Sequence, residues 1–290
     1  MTTALRELLD AGPRTRSGYA FAYMDESAKR EVRRALLKGV CIPGHLVPFA
    51  SREMPVARGW GSGGLQVTLA TITPDDVLKV IDQGDDQSMN AVGLRELIAT
   101  TTGVPTTTDA RAATLIQTRH RIPQDELHEG QVLVFQVPVS DPLRRVSARP
   151  SVTRRLHAEG DYTALWLYLY EDTARMGRSS FTHSYPVRVD DGYVMTPSPI
   201  PRYDVPRLHQ APQLSLFGAG REAAVFAVPP YTDVVPLVFE DRAFEPERFA
   251  ERCWRCDAEG SFLDTEFVDG LQRMVCSDTA WCARRRGAAK

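Results

Sequence analysis

Four cysteines near the C-terminus have residue types and spacing that suit metal binding. Cys253 and Cys256 form a CxxC pair, and after nineteen intervening residues Cys276 and Cys282 form a CxxxxxC pair. Two residues between thiolates let both sulfurs of the first pair reach one ion or cluster. Zinc binds four thiolates in a closed tetrahedron without redox chemistry, whereas thiolates also hold 4Fe-4S clusters. The longer second spacing departs from an ordinary zinc knuckle, so both kinds of centre stay open.

The two kinds of centre assign the fourth cysteine differently. A cluster held by three cysteines leaves one iron open to a small-molecule ligand and leaves the fourth thiol free to react. A closed zinc site uses all four thiolates. Disulfides are the third interpretation, and the first residues, which lack an apolar signal segment, argue against it. Cys41, the fifth cysteine, is expected to be a small buried side chain.

Two glycine-rich segments are candidates for binding phosphate. Residues 59–64 read GWGSGG, and backbone N–H groups at Gly61, Gly63 and Gly64 can point at an anion. No Gly-Lys-Ser/Thr follows, so the segment is not a Walker motif. Gly218 to Arg221 offers a second glycine turn that ends in a guanidinium. For both segments the alternative is a plain turn next to a strand.

Two shorter stretches carry residues that could have either a structural or a ligand-binding role. Arg119, His120 and Arg121 place two guanidiniums and an imidazole together, a set that suits an anionic ligand or a metal. The alternative is a structural histidine, which is the commoner use of a lone imidazole. Gly44 follows a proline, and from residue types alone it is a helix stop.

The elements that position these residues are predicted from periodicity and turn residues. Helices are expected at Asp25–Lys38, Pro74–Asp82 and Ser88–Thr100, and strands at Leu65–Ile72, Gln131–Val137 and Ala223–Val228. A hairpin is expected from Pro186–Val189 to Tyr193–Met195, whereas Asp109–Arg119 and Tyr162–Tyr170 are ambiguous. Because helices and strands do not alternate regularly, the predicted fold class is α+β, with mixed helices, an antiparallel sheet and a C-terminal four-cysteine module.

Length and composition limit the class of protein. The chain has 290 residues, 43% of them hydrophobic, and a formal net charge of −2. This balance does not favour nucleic acid binding, and no run approaches the roughly 18 apolar residues of a membrane span. Reduced thiols and the missing signal segment favour the cytoplasm. The predicted divisions are a flexible lead-in (1–17), an α+β domain (18–250) with a proline- and arginine-rich middle insertion (about 144–210), and a cysteine-rich module (251–290).

Nine further stretches form an ordered set of motifs along the chain. They are GYAFAYMDE (18–26), IPGHLVPF (42–49), REMP (52–55), GWGSGG (59–64), DVLKVIDQG (76–84), TLIQTRHRIP (114–123), PSPIP (197–201), LFGAGRE (216–222) and VCSDT (275–279). Together they resemble the PhnJ family, the catalytic subunit of bacterial carbon–phosphorus lyase. The resemblance runs from about Gly18 to the C-terminal cysteines, and so many motifs in one order argue against chance agreement.

The resemblance implies an enzyme that cleaves the C–P bond of alpha-D-ribose 1-methylphosphonate 5-phosphate, giving alpha-D-ribose 1,2-cyclic phosphate 5-phosphate and methane. It implies a 4Fe-4S cluster held by Cys253, Cys256 and Cys276, with S-adenosylmethionine. The usual CxxxCxxC run of radical S-adenosylmethionine enzymes is absent from the family and from this sequence. The resemblance further implies a glycyl radical at Gly44 and a thiyl radical at Cys282.

Other roles follow from the resemblance together with the residue types. Arg119, Arg221 and the glycines at 61, 63 and 64 are the expected contacts of the doubly phosphorylated substrate. Cys282 as a fourth metal ligand, and His120 as a ligand of a second metal, are alternatives. Zinc can replace a lost cluster, and a zinc-binding scaffold or regulatory subunit is the alternative function.

The family also implies protein partners. Sister subunits and an ATP-binding cassette protein are expected to assemble with the chain, and no nucleic acid or membrane partner is expected. The stretch Arg144–Arg155 holds five arginines and no acid, and with the proline-rich middle it is the expected docking surface.

Overall fold

The computed structural model describes residues 46–48, 62–82, 86–119, 121–136, 149, 151–152, 187–195, 205–219, 224–237 and 250–288. The strands within these ranges are β1 (Leu46–Pro48), β2 (Leu78–Asp82), β3 (Leu115–Arg119), β4 (Val132–Gln136), β5 (Val187–Val189), β6 (Tyr193–Met195), β7 (Leu214–Ala219), β8 (Ala224–Val228), β9 (Val234–Pro236), β10 (Leu263–Val268) and β11 (Leu271–Cys276). The helices within them are α1 (Ser62–Thr71), α2 (Met89–Thr102), α3 (Val205–Leu208) and α4 (Thr279–Ala288).

The main sheet has six strands in the order β1-β8-β7-β4-β3-β2. Strands β2, β3, β4 and β7 run parallel to one another, and β8 and β1 extend the sheet in antiparallel fashion. Helices and strands are mixed, as predicted, but the expected antiparallel sheet is wrong for this parallel half. Helix α2 connects β2 to β3, because adjacent parallel strands need a crossover connection.

Both faces of the main sheet are covered. On one face, helices α1 and α2 pack Leu65 and Ile98 against strand residues such as Leu115. On the other face, Phe135 and Phe217 stack with their ring centroids 4.9 Å apart, beneath the three-stranded sheet β6-β5-β9. Parallel strands are usually buried on both faces, so polar side chains collect where the strands end.

The strand predicted at Leu65–Ile72 is wrong, because this segment lies in helix α1. Among the side chains of this helix that the structure describes, Leu65, Val67, Thr68 and Leu69 are buried. A helix buried on most sides has no polar face, so its sequence lacks the 3.6-residue period that identifies a helix. Its β-branched residues then favour a strand, and tertiary packing overrides that preference.

The helix predicted at Pro74–Asp82 is also wrong, because Leu78–Asp82 forms strand β2. All five residues of β2 are buried, so the two-residue alternation of a half-buried strand is missing. Helix α2 at Met89–Thr102 confirms the helix predicted at Ser88–Thr100, and Ser88 caps it by accepting a 3.1 Å hydrogen bond from Ala91 N.

Several other predicted elements are confirmed within the described residues. Strand β4 corresponds to the strand predicted at Gln131–Val137, β8 to that at Ala223–Val228, and the ambiguous Asp109–Arg119 contains β3. Strands β5 and β6 pair across the predicted turn, where Asp190 has a φ of 48°. The segments Asp25–Lys38 and Tyr162–Tyr170 lie outside the described residues.

Candidate metal centre and sheet-edge site

A tight turn brings Cys253 and Cys256 together. The backbone N–H of Cys253 donates to the Ala258 carbonyl at 3.0 Å, and Asp257 N donates to the Cys253 carbonyl at 2.8 Å. Asp257 has a φ of 53°, in the left-handed region that allows the chain to reverse. This turn alone directs both thiols to the same side of the chain. A metal site can therefore be predicted from the CxxC spacing without knowing the rest of the fold.

The second pair of thiols comes from two different elements. Cys276 ends strand β11, and its N–H donates to the Cys253 sulfur at 3.3 Å. Cys282 lies in helix α4, whose first turn is capped by the Asp278 carboxylate through a 3.2 Å hydrogen bond from Trp281 N. The five intervening residues therefore let the chain leave a strand and begin a helix between two convergent thiols.

The four sulfur atoms form a compact cluster. Each sulfur of Cys253, Cys256, Cys276 and Cys282 lies within 4.8 Å of the others, and all four residues are buried. The Cys253–Cys282 and Cys256–Cys276 sulfur pairs are 3.7 and 3.6 Å apart. A tetrahedral zinc ion with Zn–S bonds of about 2.3 Å needs sulfurs about 3.8 Å apart. The donor set fits a thiolate-bound metal group, and its spacing fits a single tetrahedral ion.

The metal-free thiols of this centre differ in acidity. Burial raises the pKa of the Cys256 thiol to about 11. A hydrogen bond from the Cys276 thiol to the Cys282 sulfur raises the pKa of Cys276 and lowers that of Cys282 to about 6. Cys282 is thus the thiol whose charged form its neighbours stabilise most. A bound cation adds a far larger local charge and deprotonates coordinating thiols outright.

A second polar group lies where the parallel strands end. Arg119 forms an ion pair with Asp82, with Nε 2.6 Å from Oδ1 and Nη2 2.8 Å from Oδ2. Burial raises the pKa of the Asp82 carboxyl, and the Arg119 charge acts in the opposite direction. Gln136, the last residue of β4, is buried on the same face, because side chains alternate along each strand.

Helix α1 begins next to Gln136, the last of these strand-end residues. A Cβ built on Gly64 would lie 2.5 Å from the Gln136 Cβ and 2.7 Å from its Cα, so only glycine allows the helix to approach so closely. The positive end of the helix dipole and its N–H groups are therefore near Gln136, the last residue of β4. We call Asp82, Arg119, Gln136 and the α1 N-terminus the sheet edge. Its charge and its donors suit an anion.

The comparisons with known proteins identify the family of this chain. The family model described as "Phosphonate metabolism protein PhnJ" matches residues 17–288. The chain belongs to the PhnJ family. A relative from Rhizobium meliloti (strain 1021), named alpha-D-ribose 1-methylphosphonate 5-phosphate C-P-lyase, is 52% identical over 270 residues, which are 92% of this chain and 91% of the relative. A relative from Escherichia coli (strain K12), named alpha-D-ribose 1-methylphosphonate 5-phosphate C-P lyase, is 50% identical over 276 residues, or 94% and 98%. The family resemblance drawn from the motifs is confirmed.

The structure brings together some of the residues singled out from sequence. The four cysteines converge, and Arg119 and Gly64 both lie at the sheet edge, with Gly63 in the first turn of α1. The residues Cys41, Gly44, Gly61, His120 and Arg221, and most of Arg144–Arg155, lie outside the described residues. In the described part of the chain, no helix is long and apolar enough to cross a membrane.

Sequence reasoning missed Asp82 and Gln136. Asp82 ends a buried strand within DVLKVIDQG, and a carboxylate at the end of an apolar run was the available signal. Gln136 ends the strand that was predicted at Gln131–Val137. The parallel arrangement that lines up their strand ends was not predicted, so nothing pointed to a shared edge.

Proposed function

We propose that this chain is a carbon–phosphorus lyase that acts on alpha-D-ribose 1-methylphosphonate 5-phosphate and yields the 1,2-cyclic phosphate 5-phosphate and methane. The observation that carries the proposal is family membership with relatives of that name at 52% and 50% identity, each covering more than 90% of the chain. The described sites support it: one holds thiols that can bind a metal group, and the other suits an anionic ligand.

The sheet edge is the proposed binding place for a phosphate of the substrate. Asp82 holds the Arg119 guanidinium at the end of β3, and a guanidinium recognises phosphate through several N–H donors at once. The N-terminus of α1 adds a partial positive charge, and Gly64 brings that terminus within contact of Gln136. Gly61, Gly63 and Arg221 are proposed to complete this site.

The cysteine module is the proposed cofactor site. Cys253, Cys256 and Cys276 would hold a 4Fe-4S cluster, and with S-adenosylmethionine this cluster supplies the radical that starts the reaction. The all-thiol donor set fits such a cluster. Of the two close sulfur pairs, only Cys256 and Cys276 are both proposed ligands, and their sulfurs, 3.6 Å apart, would have to separate to hold a cluster.

The chain's own residues have two proposed roles in the radical relay. Gly44 gives up an α-hydrogen, and its backbone can flatten around the resulting radical because it has no Cβ. Gly44 then takes the hydrogen of the Cys282 thiol. The Cys282 sulfur bonds to phosphorus and expels a methyl radical, which takes the hydrogen atom back from Gly44 to become methane and leaves the radical on Gly44 again. The ribose 2-hydroxyl then displaces the sulfur, which closes the cyclic phosphate and frees Cys282.

Replacing single cysteines in anaerobically prepared protein tests the assignment. Cys282→Ala should still cleave S-adenosylmethionine to 5′-deoxyadenosine but release no methane. Replacing Cys253, Cys256 or Cys276 with alanine should abolish both, because each change removes a thiolate that holds iron. A Cys282→Ala protein that loses its iron would make Cys282 a ligand instead of the reacting thiol.

The Gly44 assignment needs its own measurement. Wild type with α-deuterated glycine should show an electron paramagnetic resonance doublet that collapses on deuteration, and Gly44→Ala should show no such signal. A Gly44→Ala protein that releases methane at the native rate would exclude the relay.

A zinc-binding scaffold or regulatory subunit is the second candidate function. It is favoured by one observation, that the close sulfur pairs match the edge of a tetrahedron around a single ion. Iron, sulfide and zinc analysis of anaerobically purified protein separates the two. Stoichiometric iron and sulfide support the lyase, whereas one zinc without any chromophore supports the scaffold. In either case the chain is proposed to assemble with sister subunits and an ATP-binding cassette protein.

A further inference from the structure

Lys79 is a fully buried cation and the second residue of strand β2. Its Nζ lies 3.0 Å from Asp86 Oδ2 and 3.4 Å from Asp278 Oδ1, and it also donates to the Thr108 carbonyl. The side chains of Lys79, Asp86 and Asp278 are 0%, 1% and 3% exposed. Because β2 side chains alternate, Lys79 points to the face opposite Asp82, away from helices α1 and α2.

The two carboxylates belong to different parts of the molecule. Asp86 follows strand β2 of the main sheet, and Asp278 lies in the cysteine module, two residues after Cys276. Thr279, the first residue of α4, donates from its hydroxyl to both Asp86 oxygens at 2.8 and 3.0 Å. The Asp86 N–H donates to the Ser277 carbonyl at 3.2 Å. We call these contacts of Asp86 with Ser277 and Thr279, together with the Lys79–Asp278 ion pair, the joint between the main sheet and the cysteine module. Lys79 therefore lies at this joint.

Asp278 is fixed from three directions. One oxygen faces Lys79 and caps α4 through Trp281 N, and the other accepts a 3.2 Å hydrogen bond from Gln124 N. The cap determines where α4 begins, and α4 carries Cys282. The position of the Cys282 thiol relative to the sheet thus depends on where Asp278 is held.

Stability alone does not explain this arrangement. Transferring three charged groups from water to the protein interior costs free energy, and the attraction between the charges seldom offsets this cost completely. Apolar side chains of similar volume in the same place are often at least as stabilising. The favoured use of a buried, fully bonded cluster is to select one geometry over others, because any shift leaves a buried charge without its partner.

The proposed function needs such a fixed geometry. Asp82, three residues after Lys79, holds Arg119 at the sheet edge, and Asp86, four residues further on, contacts the module. The same strand and the connection that follows it thus contact both sites. A thiol that must reach phosphorus depends on the distance between these sites, and about 1 Å of misplacement can lower a rate about 100-fold.

We propose that Lys79 is a positioning residue that fixes helix α4, and with it the Cys282 thiol, relative to the sheet edge that carries Arg119. The catalytic part of this assignment rests on the proposed function. The geometric part, that Lys79 holds the module to the sheet, does not.

The test compares wild type with Lys79→Met/Asp86→Asn, prepared as the full chain with its metal group. This double change removes one positive and one negative charge, so the net charge of the three side chains stays the same. Hydrogen exchange should be faster at the Asp86 and Gln124 amides, whose hydrogen bonds cross the joint, and unchanged in the β10–β11 hairpin. Cobalt bound to the four cysteines should keep its thiolate absorption. The kcat for the phosphonate should fall about 10- to 100-fold with KM unchanged.

A matched control removes an exposed ion pair from the same module. Arg252 and Glu259 contact each other with side chains 55% and 66% exposed, so Arg252→Met/Glu259→Gln should keep native exchange and native kcat. Thr279→Val, which removes one hydroxyl from the joint, should give the same pattern as the double change with a smaller amplitude, even if the double variant fails to fold.

Three outcomes would overturn the proposal. Native exchange at the joint in both Thr279→Val and the double variant excludes the geometric role, and native kcat despite faster exchange excludes the catalytic one. An equal loss of kcat in the Arg252→Met/Glu259→Gln control shows that the effect is not specific to Lys79. If wild type releases no methane, the proposed function fails, and the exchange measurement alone still decides whether Lys79 holds the joint.

Discussion

The main sheet and the cysteine module are held together by different means. The main sheet buries large apolar side chains on both faces, including Phe135 and Phe217 with 0% exposure. Among the described residues, the buried cluster of the module consists of its four cysteines with Ala258, Leu263 and Val275, and the partly buried Met274 and Trp281 pack against it. A segment of about 40 residues rarely forms a sufficient apolar core and usually needs metal or disulfides. Removing one kind of support should therefore affect one region and spare the other.

Metal removal should have the largest effect, and only in the module. Structural zinc contributes an apparent 10–16 kcal/mol, roughly, in small zinc-finger peptides, and that binding energy is folding energy. Treating the zinc-loaded protein with a chelator should abolish hydrogen-exchange protection in β10, β11 and α4, while β2 to β4 keep theirs. Persistent protection of the β10–β11 hairpin in metal-free protein would show that its packing suffices.

The converse change should affect only the main sheet. Phe217→Ala removes a ring that stacks on Phe135, and a large-to-small change in such a core typically costs about 3–5 kcal/mol of unfolding free energy. Denaturant unfolding measures this loss, and metal affinity should stay native. Phe267→Ala is the control, because Phe267 is 75% exposed and its loss should change stability by no more than about 0.5 kcal/mol. Weaker metal binding in Phe217→Ala would mean that the two regions share one core.

The same difference explains what could be predicted from the sequence. The cysteine centre depends on short spacings within a turn, a strand end and a helix, so Cys253, Cys256, Cys276 and Cys282 could be grouped without knowing the rest of the fold. The sheet edge depends on strands far apart in sequence, since β4 pairs with β7 across the whole middle of the chain. A pairing between strands so far apart cannot be predicted from the sequence pattern of either strand alone.

Burial accounts for the two segments whose secondary structure was predicted wrongly, Leu65–Ile72 and Pro74–Asp82. All five residues of β2 are buried, as are Leu65, Val67, Thr68 and Leu69 of α1, so neither sequence shows the alternation of polar and apolar residues that reveals a period. Lys79 illustrates the difficulty, because a lysine in an apolar run suggests an exposed helix face. It is instead buried against two carboxylates, and one of them, Asp278, is 199 residues away in the sequence.

The next largest effect on the free energy of unfolding is expected from a substitution where helix α1 approaches the main sheet most closely. Gly64→Ala should lower the unfolding free energy by about 1–3 kcal/mol, because the added methyl would lie 2.5–2.9 Å from Gln136 atoms, two of them in the backbone. Without that contact, alanine would favour the helix by about 1 kcal/mol. Gly287→Ala in helix α4 is the matched control, since nothing lies within 4 Å of its added Cβ, and it should be neutral or stabilising. A stabilising Gly64→Ala in thermal or denaturant unfolding would refute the close approach.

The smallest predicted effect concerns a carboxylate shared between the two regions. Asp109 accepts hydrogen bonds from Arg111, and its Oδ1 also lies 3.0 Å from Arg284 of helix α4. The hydrogen bonds from Arg111 hold the pKa of Asp109 at about 2, below its ordinary value of 3.8. A carboxyl whose pKa is lower in the folded state stabilises the protein above the ordinary pKa, and this stabilisation is lost as the pH falls through about 2.

Asp109→Asn should therefore be less stable than wild type at pH 7, by under about 1 kcal/mol because the pair is partly exposed. The difference should shrink below pH 4 and vanish near pH 2. Urea unfolding of both proteins at each pH measures it, and acid release of metal affects both alike. Arg111→Gln added to Asp109→Asn should cost little more, since the two share one interaction. A stability difference that stays constant from pH 7 to pH 2 would show that packing of the side chain, and not its charge, stabilises this part of the joint.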